Sequence, residues 1–224
     1  MRLRIHGDNI IECERTLHLL SLAYQAEIAR RSTCLYFPVF ELRRDGKKIA
    51  EIELFAGHGR WNVSIADVLA TYGAPLREAA DAYITKLSDD DKEEIMISVE
   101  YCNALPAGNN AWQRSGRAAT SAEIGIPYFY YAEVGGVELD AQRKVKAPRY
   151  PNPIVPFSYL TASIALQVIC IPIYEAHPAI TEDLRKKFAH VFGLEDSLKL
   201  IECILDGTDN SQSLKTLIDK GTTD

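Results

Sequence analysis

No apolar run in this chain approaches the roughly 20 residues that a helix needs to cross a bilayer. The longest, Ile164 to Ile173, is broken by Gln167 and Pro172. The opening Met1-Arg2-Leu3-Arg4-Ile5-His6-Gly7-Asp8 lacks the apolar core of a secretory signal. The five cysteines, Cys13, Cys34, Cys102, Cys170 and Cys203, include no C-x-x-C pair. Neither a zinc site nor a disulfide framework is expected, and a reducing, cytoplasmic setting is. Positive charge is also scarce: 25 Lys and Arg face 31 Asp and Glu, a net charge of −6. That excludes a protein that coats nucleic acid through bulk charge. It leaves room for a local basic groove on an acidic body. Walker A and G-x-S-x-G patterns are missing, and Gly57-His58-Gly59 has no third glycine to make a dinucleotide fingerprint.

What remains is an ordinary globular composition, 224 residues of which 47% are hydrophobic and 25% charged, enough for one large domain. Arg2 to His6 reads as a short strand. From Ile10 to about Arg30, Ile10, Cys13, Leu17, Leu20 and Tyr24 recur at helical spacing, with Glu12 on the edge of the apolar stripe. Cys34 to Arg43 and Ile49 to Phe55 flank Asp45-Gly46, the signature of a tight hairpin. Helical signal resumes from Ser64 through Lys86, interrupted near Gly73 and Pro75. Ser88 to Asp91 reads as a solvated acidic turn. Glu94 to Asn103 is the clearest strand, and it carries Glu100 among apolar neighbours. A helix from Ala111 to about Glu123 follows, with Gly116, Ala119 and Ala122 small enough to lie close on a sheet. Tyr128 to Ala132 is a further strand. Tyr159 to Tyr174 is apolar, and Thr181 to Asp206 is helical in two pieces. The fold class expected is α/β, a mixed central sheet with flanking helices. Residues 1–206 are expected to form a single domain, and 207–224 a polar tail or a linker to a further domain.

Three acids from three elements stand where apolar neighbours would bury them: Glu12, Glu53 (with Glu51 as the neighbouring candidate) and Glu100. A buried carboxylate is costly unless it is paired or bound to a metal. Glu51 and Glu53 read equally well as the solvent face of an edge hairpin, and Glu12 as an exposed helix residue. Trp112 reads as a packing residue. His58 reads as a loop residue beside Arg60, Trp61 and Asn62.

The order helix-Glu, hairpin-acid, strand-Glu, helix, strand over residues 10–132 resembles the PD-(D/E)XK nuclease superfamily, restriction endonucleases in particular. Val99-Glu100-Tyr101-Cys102-Asn103 through Gly108 to Ala118 carries the likeness most closely. The resemblance implies an α-β-β-β-α-β core and a Mg²⁺ held by Glu12, Glu53 and Glu100. It implies hydrolysis of phosphodiester bonds in double-stranded DNA, by a homodimer or beside a partner subunit. Two features depart from the pattern. No Pro-Asp precedes the second hairpin strand, and Cys102 stands at the position of the family's lysine. Gln113 or Arg114, on the following helix, is the expected replacement, with Arg117 on the same face as Gln113. Arg60, Arg117, Arg143, Lys144, Lys146 and Arg149 are the expected contacts to the DNA backbone. Replacing Glu100 with Ala is expected to end cleavage while leaving folding intact. The alternative, favoured by Cys102 and the acidic charge, is a non-catalytic interaction or DNA-binding module of a larger defence or repair assembly.

Overall fold

Alternation along Arg2-Leu3-Arg4-Ile5-His6 sets the frame: Leu3 and Ile5 enter one core while Arg4 and His6 point to the other side of the sheet. The computed structural model describes residues 1–32, 34, 37–57, 65–74, 78–102, 109–136, 141–144 and 154–222, with backbone only at 109–113 and 154–156. The elements in chain order are β1 (Arg2–Gly7), α1 (Ile10–Ala23), β2 (Glu27–Arg30), β3 (Val39–Arg44), β4 (Lys47–Ala56) and α2 (Ile65–Thr71). There follow β5 (Ala82–Leu87), β6 (Glu93–Cys102), α3 (Asn109–Glu123), β7 (Tyr128–Val134), α4 (Ile154–Leu166), β8 (Cys170–Ala176), α5 (Glu182–Lys187), α6 (Leu194–Asp206) and α7 (Ser211–Gly221). The eight strands form one mixed sheet in the order β2-β3-β4-β1-β5-β6-β7-β8. The α/β class and the mixed sheet expected from the sequence are therefore present.

One face of the sheet packs Leu3, Ile5, Ile52, Leu54 and Tyr131 against Leu20 of α1, Leu200 and Ile201 of α6 and Leu217 of α7. The other face packs Tyr83, Tyr128 and Tyr130 against Ala118 of α3, Tyr159 of α4 and Leu69 of α2. Helix α1 sits close on β1 because Gly7 has no side chain: a Cβ there would come within 2.6 Å of Cys13 Sγ. Asn9 caps α1 by accepting from the backbone N–H groups of Ile11 and Glu12, which satisfies two of the donors a helix start leaves unpaired.

Several expectations need correction. The first helix ends at Ala23, not Arg30; Gln25 adopts φ +48 and the chain turns into β2. The helical signal expected through Lys86 gives way to β5. Ala82, Tyr83, Ile84 and Thr85 are all buried, so both faces of this strand are covered and no alternation marks it. Part of the segment 207–224 is not a tail: residues 211–221 form α7, whose Leu217 belongs to the core. The hairpin turn is as expected, with Asp45 and Gly46 at φ +53 and +74, the left-handed pair that a two-residue turn requires.

Candidate functional site

Strands β1, β4, β6, β7 and β8 run in one direction and β5 in the other. The carboxyl ends of five strands and the start of β5 therefore share one edge. In open α/β sheets, ligands bind outside such an edge. Helix α1 begins there directly after β1, and α3 follows β6 from the same edge.

Glu100, two residues before the end of β6, is fully buried. Its Oε1 accepts from Arg114 Nε at 2.9 Å and from Arg117 Nη1 at 2.8 Å. Its Oε2 accepts from the same Arg117 nitrogen at 3.0 Å and from the Asp81 backbone N–H at 3.3 Å. Asp81, just before β5, lies beside it. The Asp81 Oδ2 accepts from the Tyr101 N–H at 2.9 Å and Oδ1 accepts from Arg117 Nη1 at 2.9 Å. One guanidinium nitrogen thus serves two carboxylates. Burial, and next the Asp81 charge, push the Glu100 carboxyl above its usual range against the pull of Arg117 and Arg114. Arg117 remains accessible, its side chain 37% exposed, while that of Glu100 is 0% exposed.

Glu12, in the first turn of α1, faces the same edge. Its Oε2 is buried and has no hydrogen-bond partner. Burial first, then the Asp81 and Asp8 charges, hold its carboxyl above the ordinary value, with Arg15 opposing. Glu78 lies against α3: a Cβ on Gly116 would meet Glu78 Oε2 at 2.6 Å. Gly116 therefore makes room for a carboxylate. Ala118, Ser121 and Ala122 are the small residues buried on α3, whereas Ala119, expected against the sheet, is only partly buried.

Glu53 does not belong to this edge. It accepts from Arg4 Nε at 2.7 Å, and the pairing Glu53–Arg4–Thr85 sets it four residues along from Asp81, roughly 13 Å, and three strand spacings, roughly 14 Å, from Glu100. Glu51 pairs with Lys48 at 2.6 Å. The acid that faces Glu100 is Asp81. An acid directly before the β-prone Ala82-Tyr83-Ile84-Thr85 run was its signal in the sequence. Arg114 and Arg117 both reach Glu100. Cys102 is buried. Arg143 and Lys144 lie in an exposed turn, Arg143 at φ +61. Arg60, Lys146 and Arg149 lie outside the described residues, as does the side chain of Gln113. Among the described residues no three His, Cys, Asp or Glu side chains are grouped closely enough to hold a metal ion, and no helix is long and apolar enough to cross a membrane.

On the other face of the sheet, Arg15 donates to Glu133 at 2.8 Å and lies over the Tyr101 ring. Glu175 stands beside Glu133 in the β7–β8 register. Burial raises its carboxyl to about 7, Glu133 adding and Arg15 opposing. A raised carboxyl means the folded state holds the proton more tightly than the unfolded chain. Stability should therefore fall as pH rises from about 4.5 to about 7. Glu175→Gln is expected to match the parent below that window and to exceed it above, by up to about 3 kcal/mol. Denaturant melts at pH 4 and pH 8 measure this; equal differences at both would refute it.

No protein-family model matches the chain, nor does any curated protein or solved structure.

Proposed function

We propose that the chain is a cytoplasmic, magnesium-dependent endonuclease of restriction type that hydrolyses double-stranded DNA as a homodimer. One observation carries the reading. Asp81, just before β5, and Glu100 of the adjacent antiparallel β6 meet at the carboxyl edge of the sheet beside two arginines of the next helix. The resemblance calls for Glu53 beside Glu100; in this reading Asp81 takes that role instead. The core would consist of α1, the β5–β6 hairpin, α3 and β7. The third strand would be β1, which precedes α1 where the family's order has it following.

Magnesium takes oxygen ligands; Asp81, Glu100 and Glu12 carry oxygens of that type, but as placed they are not grouped to hold an ion, and Arg117 and Arg114 already neutralise Asp81 and Glu100. A bound ion would supply an activated water and charge neutralisation at the phosphate. Arg117, partly exposed, and Arg114 supply guanidinium groups that suit a phosphodiester. Arg143, Lys144, Lys146, Arg149 and Arg60 carry the expected backbone contacts.

Plasmid and short-duplex cleavage with Mg²⁺ tests this. The parent should cut, and Asp81→Asn should cut about a hundred-fold more slowly or worse. Cleavage unchanged in Asp81→Asn ends the assignment of the acid pair. A second reading, a DNA-binding module without catalysis, is favoured by the two arginines that already pair with Glu100; it predicts binding but no cleavage by the parent. Under either reading, Arg143, Lys144 and Lys146 changed together to Ala should weaken binding evenly across sequences. Each lost phosphate contact should flatten the salt dependence by about one unit of slope. A loss confined to one sequence would mean that these residues read bases.

A further inference from the structure

The carboxyl end of β8 borders a cavity of about 460 Å³ that α5, α6 and α7 also line. That volume lies in the range of small-molecule sites, roughly 300–1,000 Å³. Phe192 and Leu194 give it an apolar wall, and four charged residues line it: Glu175, Arg185, Glu195 and Lys220. Glu175 and Arg185 make no side-chain hydrogen bond among the described residues. Lys220 donates to the Phe192 carbonyl at 3.0 Å and to Asp196 Oδ2 at 2.6 Å. An ammonium has three hydrogens, so one is left over. We propose that this cavity binds an α-amino acid with an apolar side chain, its ammonium at Glu175 and its carboxylate at Arg185 and Lys220.

The mixed charge decides the ligand class. Glu175 and Glu195 repel a ligand that is only anionic, and Arg185 and Lys220 repel one that is only cationic. A zwitterion satisfies both. Glu175 is the more buried of the two acids. Burial holds its carboxyl at about 7, Glu133 adding and Arg15 opposing, so an ammonium brought against it supplies a partner the fold does not. The backbone sets the two charges close together. Gly193 donates its N–H to the Tyr174 carbonyl at 3.1 Å. Glu175 and the first turn of α6 therefore each begin one residue beyond a common point. Lys220 is fastened to that same turn through Asp196. The turn has no side-chain cap, and its free N–H groups also favour an anion. So short a separation suits an ammonium and a carboxylate on one carbon. Phe192 and Leu194 are left to meet the ligand's apolar side chain.

The inference goes beyond the nuclease reading and does not depend on it. Thermal unfolding of the parent is followed with each standard amino acid at millimolar concentration, and leucine is titrated by calorimetry. Apolar amino acids should raise the melting temperature, as any ligand of the folded state does. Isoamylamine, which is leucine without its carboxylate, should bind about ten-fold more weakly than leucine or worse. So should isocaproate, which is leucine without its ammonium, since each has lost a charge-assisted contact. Glu175→Gln should weaken leucine about ten-fold and remove its advantage over isocaproate. Arg185→Met, at an exposed position of α5, should weaken leucine similarly and narrow its advantage over isoamylamine. No stabilisation by any apolar amino acid overturns the proposal, as does an analogue that binds as tightly as leucine. Parental affinity for leucine in either variant overturns it too.

Discussion

Glu100→Ala should lower the stability of the folded chain by about 3–5 kcal/mol, the usual cost of removing one partner from a buried ion pair. The side chain is wholly enclosed, and its loss leaves Arg114 half-buried without its partner carboxylate and Arg117 with Asp81 alone. Glu100→Gln keeps the volume and one acceptor oxygen and should cost less. Urea melts of the three proteins at pH 7 decide the matter. An Ala variant as stable as the parent would mean that the arginines find water as readily as they find Glu100. This outcome departs from the expectation that Ala leaves folding intact. Cleavage by Glu100→Ala must be measured where the variant is demonstrably folded, and Glu100→Gln is the better probe of chemistry.

Glu93→Ala should destabilise by a similar amount, for an opposite electrostatic reason. At the other end of β6, Glu93 accepts from Arg4 at 2.9 Å and from Thr85, and it pairs with the fully buried His6. Burial opposes its charge, but the bonds from His6 and Thr85, followed by Arg4, outweigh burial and lower its carboxyl to about 2. The contribution of a lowered carboxyl is complete above the unfolded value of about 4.5 and is lost as pH falls toward 2. Acid titration of stability should therefore show the parent and Glu93→Ala about 3 kcal/mol apart at pH 7 and converging near pH 2. A gap that persists undiminished at low pH would assign the loss to packing instead.

The two carboxylates also mark what local sequence can convey. The strand carrying Glu100 was legible because its apolar run and β-branched residues agree; the expected 94–103 lies one residue from the observed 93–102. Arg117 was legible as a candidate because four-residue spacing puts it on the face of Gln113, and Arg114 as its neighbour at the flank of that face. Strand β5 was not. Leu76-Arg77-Glu78-Ala79-Ala80 ahead of it is good helix-forming sequence. The strand itself is covered on both sides, which removes the period-two signal. With β5 hidden, Asp81 lay inside a supposed helix, and the hairpin at Asp45-Gly46, whose turn chemistry is unmistakable, supplied Glu53 in its place. The strand order explains why that choice fails. β1 separates β4 from β5, a non-local insertion that no spacing rule reveals. The sharing of one arginine between Asp81 and Glu100 is non-local in the same way: it joins residues 81, 100 and 117.

The central place of β1 bears on how the chain reaches this state. β1 is the first strand in sequence, yet its neighbours are β4 and β5: Arg2 pairs with Glu51 on one side and Leu87 on the other. A nascent chain can close the β3–β4 hairpin through its tight turn. It cannot complete β1 until residues up to Leu87 have been made. Until then at least one edge of β1 is open to any other strand. Pairing over such sequence separations is slow, on the order of milliseconds to seconds for sheet-dominated topologies. Synthesis outlasts that interval, so β1 waits for its second neighbour, and misassembly between nascent copies is the hazard this topology must survive.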